Sequence, residues 1–242
     1  MTGMRSLTQQ ARYLKLRLLT LTHGSLFSYR FRDSFYTFHQ SKLRGDQAEI
    51  SKRLEIYLPY LKRVKPELRE KYALLDCGFG RGDFMQLVRA NKISTVVGVD
   101  TNADYVLAMQ EMGMEAIHED MIAHLYFSER QYCGISGFHV IEHLTFDQLF
   151  DFLLLAHKRL VKGGALILET PNIENIIVSS TSYYYDPTHI QKVAREVIDK
   201  LLDYLGFSKI IFLPLHPLKL KPRGDTERFL FGAQDMGIIA YK

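Results

Sequence analysis

The sequence has only two cysteines, Cys77 and Cys133, and neither sits in a paired motif. That excludes a disulfide framework and a cysteine-based zinc site, and it fits a reducing compartment. No apolar run reaches membrane-spanning length, and the N-terminus lacks the unbroken apolar core of a signal peptide. The expected location is therefore cytoplasmic. Internal repeats and low-complexity tracts are absent too. What is plentiful is apolar sequence, 47% of 242 residues, enough for one globular domain with a full core.

Acidic charge is scarce at the front alone. Residues 1–44 carry eight Lys/Arg against one acid, Asp33, whereas the remainder is mildly acidic. The stretch "RSLTQQARYLKLRLLTL" (5–21) places Leu7, Ala11, Leu14, Leu18 and Leu21 on one helical stripe. A basic amphipathic helix of this kind packs on its own domain, or docks on an anionic inner-membrane surface or an assembly protein. A second helix is expected over 46–62. Residues 1–62 are read as a basic helical extension or lid, and residues 63–242 as the ligand-binding domain.

From residue 72 strands and helices alternate. Strands are expected at 73–77, 95–100, 115–118, 133–138, 164–169, 208–213 and 237–241, and helices at 82–90, 103–112, 146–160 and 191–205. This alternation means an α/β fold, a mostly parallel sheet with helices on both faces. The last two strands are joined by a loop alone, so they pair antiparallel and the seventh strand is reversed.

The first strand runs into "DCGFGRGDF". Gly78, Gly80 and Gly82 leave the backbone bare for close approach of a ligand. The spacing is G-x-G-x-G, one residue short of the dinucleotide fingerprint. Asp76, two residues ahead, disfavours a pyrophosphate and favours a ligand with an ammonium group, such as the methionine end of S-adenosylmethionine (SAM). The second strand ends in Asp100, followed by Thr101 and Asn102, where a carboxylate accepts ribose hydroxyls. The third ends in "HEDM", where Asp120 and the Met121 backbone N–H suit an adenine edge. A helix N-cap is the competing use of Asp120.

The segments "LLDCGFGRG", "VVGVD", "HED" and "LVKGGALILETP" resemble the class I SAM-dependent methyltransferases over roughly residues 46–210. The resemblance implies a Rossmann-like sheet of order 3-2-1-4-5-7-6 with SAM across the strand tips. Phe79 departs from the small residue or Cys usual at its position, and a tighter fit is expected there. An Arg beside the glycine loop can fork onto the methionine carboxylate of SAM. Arg53 is chosen for this, with Arg44 at the other end of the helix facing the acceptor and Tyr36 as a lid contact.

The methyl acceptor must meet the loops after strands four and five. "FHVIEHL" spaces His139, Glu142 and His143 to project together from one turn, with His139 beside the cofactor and Glu142 toward the acceptor. "ETPNIENIIVSSTSYYYDPTH" adds Glu169, Asn172, Tyr185 and Asp186 as acceptor contacts. His143 and His189 compete as the general base that an alcohol acceptor needs; the other use of His189 is a helix-start histidine bonded to Asp186. Tyr183, Tyr184 and Tyr185 stack on sugar or ring faces, or form core.

The triplet can also hold a divalent metal, as a resemblance to quinone-type O-methyltransferases implies, with a His in place of one acid. The Asn/Asp-Pro-Pro-aromatic stretch frequent in nucleic-acid amine methyltransferases is missing after strand four, which counts against nucleic acid as acceptor. More narrowly, "FHVIEHL", "LETPNIEN" and "YYYDPTH" are similar to bacterial methyltransferases of O-antigen chain termination. That resemblance implies a sugar hydroxyl or terminal phosphate of a surface polysaccharide as acceptor. A small quinone-like or aromatic acceptor, and a non-catalytic SAM-binding subunit, are the alternatives.

Overall fold

The computed structural model describes Phe38 and residues 47–242 apart from residue 220. Tyr36, Arg44 and the helix expected over 5–21 lie outside the described residues. Backbone contacts divide the chain into Met1–Asp46 and Gln47–Lys242.

Seven strands form one sheet: β1 (Leu74–Cys77), β2 (Val96–Asp100), β3 (Glu115–His118), β4 (Tyr132–Phe138), β5 (Leu160–Pro171), β6 (Ser208–Leu215) and β7 (Asp235–Tyr241). Their order is β3-β2-β1-β4-β5-β7-β6. β1 to β5 run parallel, and β7 pairs antiparallel with both β5 and β6. Strand order and the reversed seventh strand match the expectation. The seventh strand's direction also places its first residue, Asp235, opposite Pro171 at the end of β5. A residue far along the chain thus joins the edge where the parallel strands end.

The two-residue period of the strands builds two apolar layers. Leu75, Val97, Leu166, Leu168 and Ile238 face one layer, which contains Leu149, Phe152 and Leu153 of the helix Phe146–Arg159, together with Ile198 and Leu202 of Arg195–Tyr204. Leu74, Val96, Ala165, Ile167 and Ile239 face the other, against Phe84, Met85 and Val88 of the helix Asp83–Ala90 and Val106 and Met109 of Ala103–Glu111. The second layer also buries Leu54, Tyr57, Leu58 and Leu61. The helix expected over 46–62 is broken into Gln47–Leu54, a 3₁₀ turn Glu55–Tyr57 and Leu58–Leu61, with Pro59 in the first turn of the last piece.

The helix expected over 191–205 starts four residues later, at Arg195. Residues 190–191 are used elsewhere: the backbone N–H groups of Ile190 and Gln191 both donate to the Glu142 carbonyl, at 2.9 and 3.2 Å. Helices Met121–Phe127, Ile176–Ser180 and Asp225–Phe231 lie in segments expected to be loops. Each of the first two opens on a side-chain cap, Asp120 and Asn175 respectively.

Candidate active site

The strand tips carry two adjoining polar regions. The first surrounds the glycine loop, where Gly78, Gly80 and Gly82 all have positive φ, at 63°, 55° and 73°. A Cβ on Gly78 would meet Val140 Cγ2 at 2.7 Å, and one on Gly82 would meet Met109 Sδ at 2.2 Å. Phe79 is buried and closes on Gly98 of β2, where an added Cβ would stand 2.5 Å from its ring. This is the tight fit its size implied.

Asp100 fastens the loop. Its Oδ2 accepts from Gly80 N–H and its Oδ1 from Asn102 N–H, both at 2.8 Å. An ionised carboxylate has further lone pairs, which suits ribose hydroxyls. Asn102 caps the next helix through Asp104 N–H and Tyr105 N–H, and the Thr101 carbonyl pairs with His118 Nε2 at 2.8 Å. Asp120 is an N-cap: its Oδ1 accepts from Ile122 N–H and Ala123 N–H, at 3.0 Å each. It is exposed, and Met121 behind it is buried.

Asp76 is almost fully buried and accepts from Ser136 Oγ at 2.7 Å. Burial pushes its carboxyl up to about 7; the Ser136 hydrogen bond opposes this, and repulsion from Asp100 and Asp83 adds to it. The position thus favours a nearby cation, as the ammonium reading requires. Beside it, Arg81 Nε and Nη2 and Asp83 Oδ1 are buried without a hydrogen-bond partner among the described residues. Arg81 Nε and Asp83 Oδ2 form an ion pair at 3.5 Å, and the hydrogen-bonding positions of both signs left open next to a bare backbone suit an amino acid zwitterion. Sequence reasoning passed over Arg81 in favour of Arg53, which lies exposed on the helix Gln47–Leu54 and bonds Glu49 at 2.5 Å.

The second region lies across the ends of β4, β5, β7 and β6. Glu142, fully buried, is its hub: Oε1 is 3.2 Å from His139 Nδ1 and 3.9 Å from His189 Nε2, and Oε2 accepts from Thr170 Oγ1 at 3.0 Å. Glu142 therefore positions histidines and does not present a surface to an acceptor. Glu169, also buried, accepts from the Tyr57 hydroxyl and lies 3.4 Å from His139 Nε2. Burial disfavours the charge of His139, but hydrogen bonds to Glu142 and Glu169 outweigh it and hold the imidazole well above its ordinary range. The β7 residue Asp235 pairs with His216 Nδ1 at 2.8 Å. Burial alone would raise Asp235; His216, His139 and Arg53 hold it below the usual carboxylate range.

His143 and His189 stand edge to face, with ring centroids 4.8 Å apart. His189 Nδ1 donates to the Tyr183 carbonyl at 2.6 Å, and its ring packs on the buried Tyr183. The Asp186 carboxylate bonds Thr188, N–H at 2.9 Å and Oγ1 at 2.6 Å, and Thr188 Oγ1 in turn lies 2.9 Å from His143 Nδ1. The expected Asp186–His189 pairing is thus replaced by a link from Asp186 through Thr188 to His143. Burial holds His143 below its ordinary value, with Glu142 opposing, so the ring is neutral near pH 7. Asn172 straps the rim: its Nδ2 donates to the Ala233 carbonyl at 3.0 Å and its Oδ1 accepts from Glu174 N–H at 3.2 Å. Tyr184 and Tyr185 are exposed on the same rim.

The expected triplet His139, Glu142 and His143 does not close on one point. The side chains regroup as Glu142, His143 and His189, and as His139, Glu169 and Asp235, each set with ligand atoms within 4.8 Å of one another. Tyr57, Arg81, Thr188, His216 and Asp235 were not anticipated. Tyr57, His216 and Asp235 meet partners distant in sequence, whereas Thr188 and Arg81 have a partner two residues away, Asp186 and Asp83.

A parallel sheet reversed at its last strand, with a glycine loop at β1 and an acid at the tip of β2, defines a Rossmann-like nucleotide-binding enzyme. A family profile described as a methyltransferase domain matches residues 47–210, and the chain belongs to that family. A SAM-dependent methyltransferase from Archaeoglobus fulgidus is 28% identical, with 86% of this chain and 100% of that one covered and a TM-score of 0.75. The methyltransferase domain of bacterial CtHen1 is 17% identical, over 78% of this chain and 97% of that one, at a TM-score of 0.58. The carbon methyltransferase CurJ is 18% identical, over 86% and 58%, also at 0.58. The last two show likeness of fold. No curated protein sequence matches the chain. The chain is a SAM-dependent methyltransferase. SAM supplies an electrophilic methyl group on a sulfonium, and the protein's part is to align donor with acceptor and exclude water.

Proposed function

We propose that the enzyme methylates an oxygen, a sugar hydroxyl or terminal phosphate of a surface polysaccharide, with His143 as general base. The observation that carries this reading is the chain from Asp186 through Thr188 to the His143 imidazole, whose burial favours its neutral form. The ring is held at Nδ1 by Thr188, and its Nε2 is left to receive the acceptor's proton. Asp100, Asn102 and Asp120 would hold the adenosine of SAM, and Asp76 with Arg81 its methionine end. Arg53, Arg44 and Tyr36 remain proposed contacts; of the 1–62 extension, Leu54, Tyr57, Leu58 and Leu61 are core, and the lid role is proposed for residues 1–46. The exposed Tyr184 and Tyr185 beside Asp186 make a mixed aromatic and polar rim, as sugar faces require. The basic front would hold the enzyme near an anionic inner-membrane surface or an assembly protein. The test is incubation with labelled SAM and a panel of lipid-linked glycans, with mass spectrometry of labelled products. Label on glycan oxygen supports the reading; label confined to small aromatic hydroxyls overturns the glycan acceptor.

A second reading rests on the convergence of Glu142, His143 and His189. Both imidazoles have Nδ1 held by oxygen acceptors, the usual orientation of histidines that bind a cation through Nε2. A divalent metal ion there would acidify an acceptor hydroxyl, as suits a quinone-like phenol. Activity that survives exhaustive chelation removes this reading and leaves the base.

A further inference from the structure

His139 and His216 are the residues that follow β4 and β6, and both reach Glu169 at the end of β5. Both have the left-handed backbone that residues with a Cβ avoid, φ 53° and 51°. Between them stand Glu169 and Asp235. His139 Nε2 is 3.4 Å from Glu169 Oε1 and 4.0 Å from Asp235 Oδ1, and His216 Nδ1 is 3.8 Å from Glu169 Oε1. Bonds of about 2.0–2.2 Å to a tetrahedral ion place ligand atoms about 3.3–3.6 Å apart. His139, Glu169 and Asp235 each offer a ligand atom, all within 4.8 Å of one another, so a modest contraction brings these three onto one centre. His216 Nδ1 bonds the other Asp235 oxygen, Oδ2, at 2.8 Å and orients that carboxylate from behind.

The surroundings are arranged for such a centre. The far nitrogen of His139 is held by the buried Glu142 at 3.2 Å, which gives the carboxylate–histidine–metal pattern. Glu142 is itself fixed by Thr170 at 3.0 Å. The far oxygen of Glu169 is held by the Tyr57 hydroxyl, which leaves Oε1 facing the histidines. An imidazole nitrogen beside two carboxylate oxygens suits zinc and its first-row neighbours better than calcium or magnesium.

We propose that His139, Glu169 and Asp235 form a three-ligand site for a first-row divalent cation, with water as the fourth ligand and His216 holding Asp235 from behind, distinct from the Glu142, His143 and His189 group. Binding displaces to solvent the protons now shared between these imidazoles and carboxylates. The ion would fix the ends of β4, β5 and β7 to one another at the edge of the acceptor site.

The test uses the full-length protein stripped with chelator and titrated with Co2+ and Zn2+. Visible absorption reports the coordination of Co2+, and calorimetry reports the Zn2+ stoichiometry. Expected are a tetrahedral Co2+ spectrum in the wild type, its retention in His189→Gln, and at least a tenfold weaker Zn2+ affinity in His216→Gln and Asp235→Asn. Circular dichroism verifies that the variants fold. An anomalous difference peak among His139, Glu169 and Asp235 in Zn2+-soaked wild-type crystals answers the same question without a variant. Absence of binding at micromolar metal, or binding lost in His189→Gln and kept in His216→Gln and Asp235→Asn, overturns the proposal.

Discussion

Thr188 Oγ1 lies 2.9 Å from His143 Nδ1 and donates its own proton to Asp186 Oδ1 at 2.6 Å. The hydroxyl has one proton, already engaged, so it receives the Nδ1–H of His143 and fixes that tautomer. Nε2 is then the basic nitrogen. Thr188→Val should keep SAM affinity and lower kcat about tenfold, and His143→Gln should lower kcat by about 10²–10⁴. Because burial holds the His143 pKa down, activity should fall only as pH drops below the ordinary imidazole range near 6.5. A kcat/KM profile from pH 5 to 9 in both variants measures this. Full activity of His143→Gln would end its role as base.

Asp76 predicts an opposition between stability and binding. The folded carboxyl holds its proton up to about 7, whereas the unfolded chain releases it near 3.8. The native state therefore binds more protons across that window, and stability falls as pH rises through it. For a buried group this amounts to about 4 kcal/mol at most. Asp76→Asn should remove the pH dependence and raise the melting temperature of the cofactor-free protein at pH 8, while weakening SAM binding. The ammonium of SAM favours the ionised carboxylate, so binding near pH 6.5 should expel a proton. Calorimetry in buffers of different ionisation enthalpy detects that release, and equal enthalpies in all buffers would contradict it.

The sheet was legible because each strand is a short apolar run between breakers, and every inner run is buried on both faces. Strand tips carrying Asp76, Asp100 and Asp120 could likewise be read in one dimension. The acceptor side could not. Asp235 reaches Glu169 and His139 only because β7 runs backwards, and His216 arrives from the far edge of the sheet. Arg81 was not singled out, because sequence carries no sign of which guanidinium nitrogens are buried. Asp120 shows the converse case: the geometry displays the cap, and one carboxylate oxygen suffices for it.

Asp100 should be indispensable to cofactor binding for two reasons. It holds the loop through Gly80 N–H and Asn102 N–H, and in the proposed reading it would also accept the ribose hydroxyls. A hydrogen bond to a charged group contributes about 1.5–3 kcal/mol. Losing two or more should weaken SAM by at least about 100-fold. Asp100→Ala in a titration with S-adenosylhomocysteine should show no measurable heat, and a change below tenfold would exclude the assignment.

Gly82 separates two penalties of adding a methyl group. Its φ of 73° is left-handed, and an added Cβ would stand 2.2 Å from the sulfur of the buried Met109. The backbone term costs about 1–2 kcal/mol, and overpacking costs about 1–3 kcal/mol more. Gly82→Ala should therefore lower unfolding free energy by about 2–5 kcal/mol. In Gly82→Ala combined with Met109→Ala the steric part vanishes and the dihedral part remains. Measured against Met109→Ala alone, the glycine change should then cost only about 1–2 kcal/mol. Urea denaturation of the four proteins completes the cycle. An unchanged cost in the Met109→Ala background would mean that Met109 swings aside freely, and that the loop's shape, rather than its packing on the helix Ala103–Glu111, requires glycine there.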